Sequence, residues 1–106
     1  MAIRVAPPFV SYSSMTEAVV PASEWSYLYA SLQALKAHVQ EYPGCQRMEV
    51  WAALDDDGNM RLHCYTTWDT PEQLEVFLER GYTFDRLLAD VGLSGIERSL
   101  TMEKLF

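Results

Sequence analysis

The chain has 106 residues, of which 49% are hydrophobic and 12% aromatic, and its formal net charge is -7. This length is typical of one domain, and the apolar content is sufficient for a packed core, which excludes a disordered chain. The acidic balance argues against a nucleic-acid-binding surface, which needs clustered lysine and arginine, and no apolar run approaches the roughly 20 residues of a membrane span.

The N-terminal region predicts a short lead-in followed by a strand. Residues 1–8 are expected to be flexible, and they are too short and too interrupted by proline for a signal peptide. We therefore expect a cytoplasmic protein with one domain at residues 9–106 and with free thiols at Cys45 and Cys64, which lack disulfide or zinc spacing. Residues Phe9–Val20 are rich in aromatic, β-branched and hydroxyl side chains, which indicates a first strand that ends at Pro21.

A first helix is predicted after this proline. Ser23 is a suitable N-cap, and Glu24 lies in the first turn, where a negative charge is favourable. Apolar residues then recur at spacings of three and four, and Pro43-Gly44 stops the helix. The stripe consists of Trp25, Leu28, Leu32, Leu35, Val39 and Tyr42.

A β-hairpin follows, and its register can be predicted. Asp56-Asp57-Gly58 fits a three-residue loop, because Gly58 can adopt the left-handed conformation that the loop requires. The hairpin explains the aspartate run better than a calcium loop, whose glycine and glutamate spacing is absent. This loop pairs Asp55 with Asn59 and separates an apolar face from a mixed face, which a one-residue slip would destroy. The apolar face pairs Leu54 with Met60, Ala52 with Leu62, Val50 with Cys64 and Met48 with Thr66. The mixed face sets Arg47, Glu49, Trp51 and Ala53 against Thr67, Tyr65, His63 and Arg61.

Thr70-Pro71-Glu72-Gln73 predicts a second helix with an N-cap, a first-turn proline and a capping box. Gly81 is expected to bend this helix or to break it into two pieces. Ile96–Phe106 alternates apolar and polar residues and predicts a last strand. The predicted buried side consists of Leu74, Phe77, Leu78, Phe84, Leu87, Leu88 and Val91.

The predicted order is β-α-β-β-α-β, a ferredoxin-like α+β fold with a four-stranded antiparallel sheet and helices on one face. The other face of the sheet would expose Trp51, His63 and Tyr65. Because this face is too apolar to remain in water alone, we expect a second subunit to cover it and to form a homodimer. We expect His63 to bond Glu49 or Tyr65 at this seam.

With this predicted fold the chain resembles the dimeric α/β-barrel superfamily, and within it the antibiotic-biosynthesis-monooxygenase-like group. The resemblance covers residues 9–106 and is carried by Pro43-Gly44-Cys45, by the strand that contains Trp51, and by the run from Trp68 to Leu74. It implies a dimeric α/β barrel that binds a small aromatic or polyphenolic molecule between helices and sheet. The group includes cofactor-independent oxygenases and haem-degrading oxygenases.

Two departures from the group bear on the activity. The tryptophan that lines the oxygenase pocket is matched by Trp68, but the asparagine four residues before it is replaced by Cys64. Haem degraders use a first-strand asparagine and a second-helix histidine near Phe77 or Leu78, and this chain has neither, since its only asparagine is Asn59. Haem degradation is therefore disfavoured relative to oxygenation of a phenolic molecule.

Residues for a substrate pocket can be proposed, whereas no catalytic residue, metal ligand or cofactor is predicted. Trp68 could contact a ligand or could simply pack beneath the second helix. Cys64 could likewise contact a ligand or be a small buried core residue. Asp85 and Arg86 follow the break at Gly81, where a pocket would open, although a surface ion pair is the simpler interpretation. The candidate pocket residues are Tyr12, Ser14, Cys64, Thr66, Trp68, Phe77, Tyr82 and Arg86. The leading hypothesis is a cofactor-independent monooxygenase, and the alternative is a non-catalytic sensor, carrier or stress-response protein.

Overall fold

The computed structural model describes residues 11–105. The predicted lead-in at residues 1–8 lies outside the described residues, as do Phe9, Val10 and Phe106. The strands are β1 (Tyr12–Pro21), β2 (Cys45–Leu54), β3 (Asn59–Trp68) and β4 (Ile96–Glu103). The helices are α1 (Trp25–Val39), α2 (Pro71–Arg80) and α3 (Phe84–Asp90).

The strands form one antiparallel sheet in the order β2-β3-β1-β4. A hairpin joins the consecutive strands β2 and β3. Strand β1 lies in the middle of the sheet between β3 and β4, and β4 forms one edge. This arrangement is the predicted ferredoxin-like fold. Within residues 11–105, no helix combines the length and the hydropathy that a membrane span requires.

The hairpin has the predicted register. Leu54 pairs with Met60 and Trp51 pairs with His63, so the apolar and mixed faces are separated as expected. Gly58 has a φ of 78°, which is the left-handed conformation of the loop. The Asp55 carboxylate accepts hydrogen bonds from the backbone N–H groups of Asp57 (2.9 Å) and Asn59 (3.0 Å). The aspartate run therefore closes the turn.

The first helix differs from the prediction at both ends. Ser23 lies in a short 3-10 turn, Ala22–Glu24, and Glu24 occupies the N-cap position with no side-chain hydrogen bond. The prediction of Ser23 as the N-cap is therefore wrong, because the chain leaves β1 through this extra turn. The helix ends at Val39, and Tyr42 lies beyond it in the turn before Gly44.

The second helical segment is broken at Gly81. Thr70 caps α2 by accepting a hydrogen bond from the Gln73 N–H at 3.2 Å, and Pro71 is the first helical residue. The capping box is only half formed, since the Gln73 side-chain oxygen is buried without a hydrogen-bond partner. At Gly81 a Cβ atom would lie 2.5 Å from the Phe77 ring, so only glycine lets the chain turn tightly there into α3.

The core lies between the helices and the inner face of the sheet. Leu78 was predicted to be buried but is 40% exposed, because α2 turns it towards the uncovered end of the sheet. The largest buried side chains of the core are Trp68, Leu28, Met48, Leu62, Leu74, Leu88, Val20 and Val39.

The helices leave strand β4 uncovered. Helix α1 contacts β2, and α2 contacts β1 and β3. All eight residues of β4 are exposed. A groove therefore opens along the inner side of β4, between this strand and the α2–α3 segment.

Candidate functional site

The enclosed space between helices and sheet is small. It has a volume of about 30 Å³ and is bordered by the predicted site residues Ser14, Cys64, Thr66 and Phe77. A cavity of this size holds about one water molecule and cannot accept an aromatic ring. The ring of Phe84, which also borders it, helps to fill the space that the sequence suggested for a ligand.

Trp68 lies in the core and has no exposed surface. Its ring stacks on Phe77 with the centroids 4.9 Å apart. Its indole N–H donates a hydrogen bond of 2.9 Å to the Thr66 hydroxyl, which is also bonded to Ser14. The indole nitrogen of Trp68 is therefore hydrogen-bonded within the protein, and Trp68 lines neither this enclosed cavity nor the spaces along β1 and β4.

The open space lies outside this cavity, along β1 and β4. We call it the β4 groove, and it has two adjoining parts of about 420 Å³ and 220 Å³. Leu78 and Thr101 line both parts, so the two parts lie next to each other. Its volume lies in the range of small-molecule sites. Its lining residues are Tyr12, Ser14, Met15, Thr16, Pro71, Leu74, Glu75, Leu78, Thr83, Asp85, Ser99, Leu100, Thr101, Met102 and Glu103.

The β4 groove combines an apolar wall with a row of hydroxyl groups. Helix α2 contributes Leu74 and Leu78 to the wall. Strand pairing sets Ser14 opposite Thr101 and Thr16 opposite Ser99, so adjacent strands present hydroxyls on the same face. Hydroxyls can donate and accept hydrogen bonds, and an apolar wall can hold a ring. This arrangement fits a small aromatic molecule with hydroxyl or carbonyl groups.

The inner end of the groove carries one carboxylate. Asp85, in the first turn of α3, accepts a hydrogen bond from the hydroxyl of buried Thr83. Both residues border the enclosed cavity as well as the groove. Asp85 is therefore the carboxylate that a ligand at this end of the groove would meet.

Two predicted site residues lie away from the groove. Arg86 donates hydrogen bonds to the backbone carbonyls of Gly81 and Glu79 (2.9 Å for Glu79), and so it caps the end of α2. Tyr82 donates to Asp90, and this bond raises the pKa of the Tyr82 hydroxyl. Tyr12, in contrast, borders the outer part of the groove.

Several groove residues were not predicted from the sequence. Thr16, Ser99 and Thr101 were not singled out, and Asp85 was placed near a pocket opening but interpreted first as part of a surface ion pair. The alternation of residues in the last strand was one indication, because Ser99 and Thr101 lie on the opposite face of the strand from Leu100. The missing information was that, within residues 11–105, the helices leave β4 exposed.

Cys64 is a neutral thiol at physiological pH. Burial raises the pKa of the Cys64 thiol from 9.0 to about 12. Because the thiolate is the nucleophilic form, Cys64 is a packing residue at neutral pH.

The Cys64 thiol also makes stability dependent on alkaline pH. In the unfolded chain it loses its proton near 9.0, whereas in the folded chain it keeps the proton to about 12. Between these values the unfolded state binds fewer protons, so stability falls as pH rises. We expect the wild type to lose about 1 kcal/mol more than Cys64→Ala between pH 8 and 10, measured by urea unfolding with reductant present. Equal losses in the two proteins would contradict this assignment.

The outer face of the sheet carries Trp51, His63 and Tyr65, which with Glu49 border a concavity of about 440 Å³. Trp51 is 63% exposed. The expected partners of His63 were wrong: its Nε2 lies 3.2 Å from the Glu17 carboxylate on β1. The reason is the β1–β3 register, which sets Glu17 directly opposite His63.

Solved structures with the same fold span nearly the whole chain. A candidate antibiotic biosynthesis monooxygenase from Nitrosomonas europaea is 16% identical with a TM-score of 0.64, covering 89% of this chain and 88% of that one. The heme-degrading protein of Mycobacterium tuberculosis is 16% identical with a TM-score of 0.63, covering 91% and 95%. A dimeric protein of unknown function from Bacteroides fragilis is 12% identical with a TM-score of 0.63, covering 92% and 96%.

No protein-family model matches the sequence, and no curated protein matches it. At these identities the structural matches concern the fold. The chain therefore has the fold of the antibiotic-biosynthesis-monooxygenase-like proteins, as the resemblance implied.

Proposed function

We propose that this chain binds a small aromatic or polyphenolic molecule in the β4 groove. The observation that carries the proposal is the pair of adjoining spaces on either side of Leu78 and Thr101, with an apolar wall on one side and hydroxyls on the other. A planar ring would lie against Leu78. Its hydroxyl or carbonyl groups would bond Ser99, Thr101 and Thr16.

The reaction we propose for this site is a monooxygenation without a cofactor. An anthrone-type substrate can lose a proton and donate electrons to O₂ itself, so that its CH₂ group becomes a carbonyl and the second oxygen atom leaves as water. The protein would supply the apolar site, hydrogen bonds from the β1 and β4 hydroxyls to the substrate oxygen atoms, and Asp85 as the proton acceptor. Two structural neighbours, from Nitrosomonas europaea and Chloroflexus aurantiacus, are described as candidate monooxygenases.

A non-catalytic carrier or sensor is the second candidate function. This function is favoured because polar groups of the groove already form hydrogen bonds within the protein. Asp85 accepts a hydrogen bond from Thr83, and Ser14 is hydrogen-bonded to Thr66. Cys64 is neutral because burial raises its pKa to about 12. In this reading the groove binds the same class of ligand and returns it unchanged.

The binding proposal is tested by filling the groove. Leu78 borders both parts of the groove and the enclosed cavity, so Leu78→Trp should weaken binding of a hydroxyanthracene or naphthol probe at least about tenfold. Val76→Trp is the matched control, because Val76 lies on the same helix, is 49% exposed and does not line the groove. Fluorescence titration measures both variants. Equal affinities, or no binding by the wild type, would exclude the groove as the site.

Catalysis is tested separately with the same proteins. Oxygen uptake and quinone formation from an anthrone, lost in Leu78→Trp and retained in Val76→Trp, would support the oxygenase. Binding without oxygen uptake would favour the carrier or sensor. Cytoplasmic location remains a prediction for either function.

We propose that a second copy of this chain covers the outer face of the sheet. Trp51 is 63% exposed and borders a concavity of about 440 Å³, so a twofold axis could pack each tryptophan against the partner's concavity. Charged groups on this face are already paired, with Glu17 3.1 Å from Arg98 and 3.2 Å from His63. Pairing within one subunit lowers the cost of burying these charges. The neighbour from Bacteroides fragilis is described as dimeric.

A further inference from the structure

The charges that line the β4 groove have one sign. Its outer part is bordered by Glu75 and Glu103, and its inner part by Asp85. Among the described residues that line the two parts, none is lysine, arginine or histidine. Carboxylates are negatively charged at neutral pH, so a ligand in this groove experiences a negative potential along its length.

The cation nearest to Asp85 in sequence does not cancel this potential. The Arg86 guanidinium donates to the backbone carbonyls of Gly81 and Glu79, at the end of α2. These contacts hold the guanidinium away from the groove, and Arg86 is not among the residues that line it. The other polar side chains that β1 and β4 contribute to the groove are uncharged hydroxyls, those of Tyr12, Ser14, Thr16, Ser99 and Thr101.

We propose that the β4 groove selects neutral or cationic aromatic ligands and excludes aromatic carboxylates, with Glu75 and Glu103 as the specificity-determining residues. This inference rests on the proposed binding function and narrows its ligand class. A carboxylate in the groove has no cationic partner and faces like charges, whereas an ammonium group is attracted and can bond Glu75 or Glu103. Haem, which carries propionate groups, belongs to the excluded class.

The expected size of the effect follows from the exposure of the groove. Charges that face solvent interact weakly, so we expect about a tenfold difference in affinity between matched cationic and anionic ligands at low salt. The Debye length falls from about 30 Å at 0.01 M salt to about 8 Å at 0.15 M. The difference should therefore shrink to about threefold at the higher salt concentration.

The test uses ligands that share one ring system. Hydroxynaphthoate, hydroxynaphthamide and aminomethylnaphthol with the same substitution pattern are titrated into the wild type at both salt concentrations. We expect the amine to bind most tightly and the carboxylate most weakly. In the double variant Glu75→Gln/Glu103→Gln the amine and carboxylate should differ by about twofold or less. Glu41→Gln, an equal charge change at an exposed position after α1, should retain the wild-type discrimination.

The outcomes separate this inference from the function on which it depends. If all ligands bind with equal affinity, or if the double variant keeps the full discrimination, charge selection by Glu75 and Glu103 is overturned while binding in the groove stands. If neither the neutral nor the cationic ligand binds, the proposed function fails and the inference fails with it. Circular dichroism of the double variant checks that the fold is retained.

Discussion

Replacing Trp68 with alanine is expected to lower the free energy of unfolding by about 3–5 kcal/mol, the range measured for large aromatic residues in cores. Trp68 has no exposed surface and stacks on Phe77 at a centroid distance of 4.9 Å. Tyr42 adds an edge contact to the same ring at 6.5 Å. Removing the indole leaves a cavity beneath α2 that these aromatic neighbours cannot fill without moving. Since domains of this size are stable by about 5–15 kcal/mol, a large share of the total would be lost.

Urea unfolding followed by circular dichroism measures this loss, and Trp68→Phe is the matched variant. Phenylalanine keeps a ring against Phe77 and loses the 2.9 Å hydrogen bond to Thr66, so we expect a loss of about 1–2 kcal/mol. A Trp68→Ala protein with wild-type stability and no affinity for ligand would contradict the packing role. It would instead make Trp68 a ligand contact, as the resemblance implied.

Local sequence signals predicted the elements whose geometry depends on near neighbours. The hairpin register follows from Gly58 and from the separation of its faces, both of which lie within a short segment. The break after α2 follows from Gly81, where a side chain would meet the Phe77 ring and carbonyl. Thr70 and Pro71 fix the start of α2 in the same way. Each of these features is determined by residues a few positions apart.

Long-range pairing determined what the sequence could not predict. The contact of His63 with Glu17 depends on the register between β1 and β3, which no local pattern specifies. A register shift between Glu17 and Ala18 also alters how β4 pairs with β1. Ser99 and Thr101 belong to the groove only because the helices stop short of β4. The candidate site therefore lies where helix placement leaves part of the sheet uncovered.

The proposed groove differs in position from the predicted pocket for a related reason. The sequence suggested a ligand between helices and sheet, at Cys64, Thr66 and Trp68. Large side chains such as Phe77 and Phe84 occupy that layer, and the cavity that they border has a volume of about 30 Å³. Sequence periodicity identifies which residues face the core, but it does not reveal whether their volumes fill it.

Replacing Trp51 with glutamate is expected to dissociate the proposed homodimer, with the dissociation constant raised about 100-fold or more. Trp51 is 63% exposed in the single chain and stands beside Glu49 and the concavity of the outer face. In a twofold dimer the substitution removes a buried aromatic anchor from both subunits. It also places new carboxylates next to Glu49 at the seam. Loss of a central tryptophan commonly costs 2 kcal/mol or more in an interface, and like charges add to this cost.

Light scattering and sedimentation velocity over a range of concentrations measure the effect. The wild type should have twice the subunit mass at micromolar concentration, and Trp51→Glu should have the mass of one subunit. Val76→Glu places the same charge on α2, away from the outer face, and should remain dimeric. Because Trp51 is exposed in the single chain, its replacement should leave the fold of each subunit intact, and circular dichroism checks this. A dimeric Trp51→Glu protein would assign the interface to another surface, and a monomeric wild type would leave the outer face of the sheet in water.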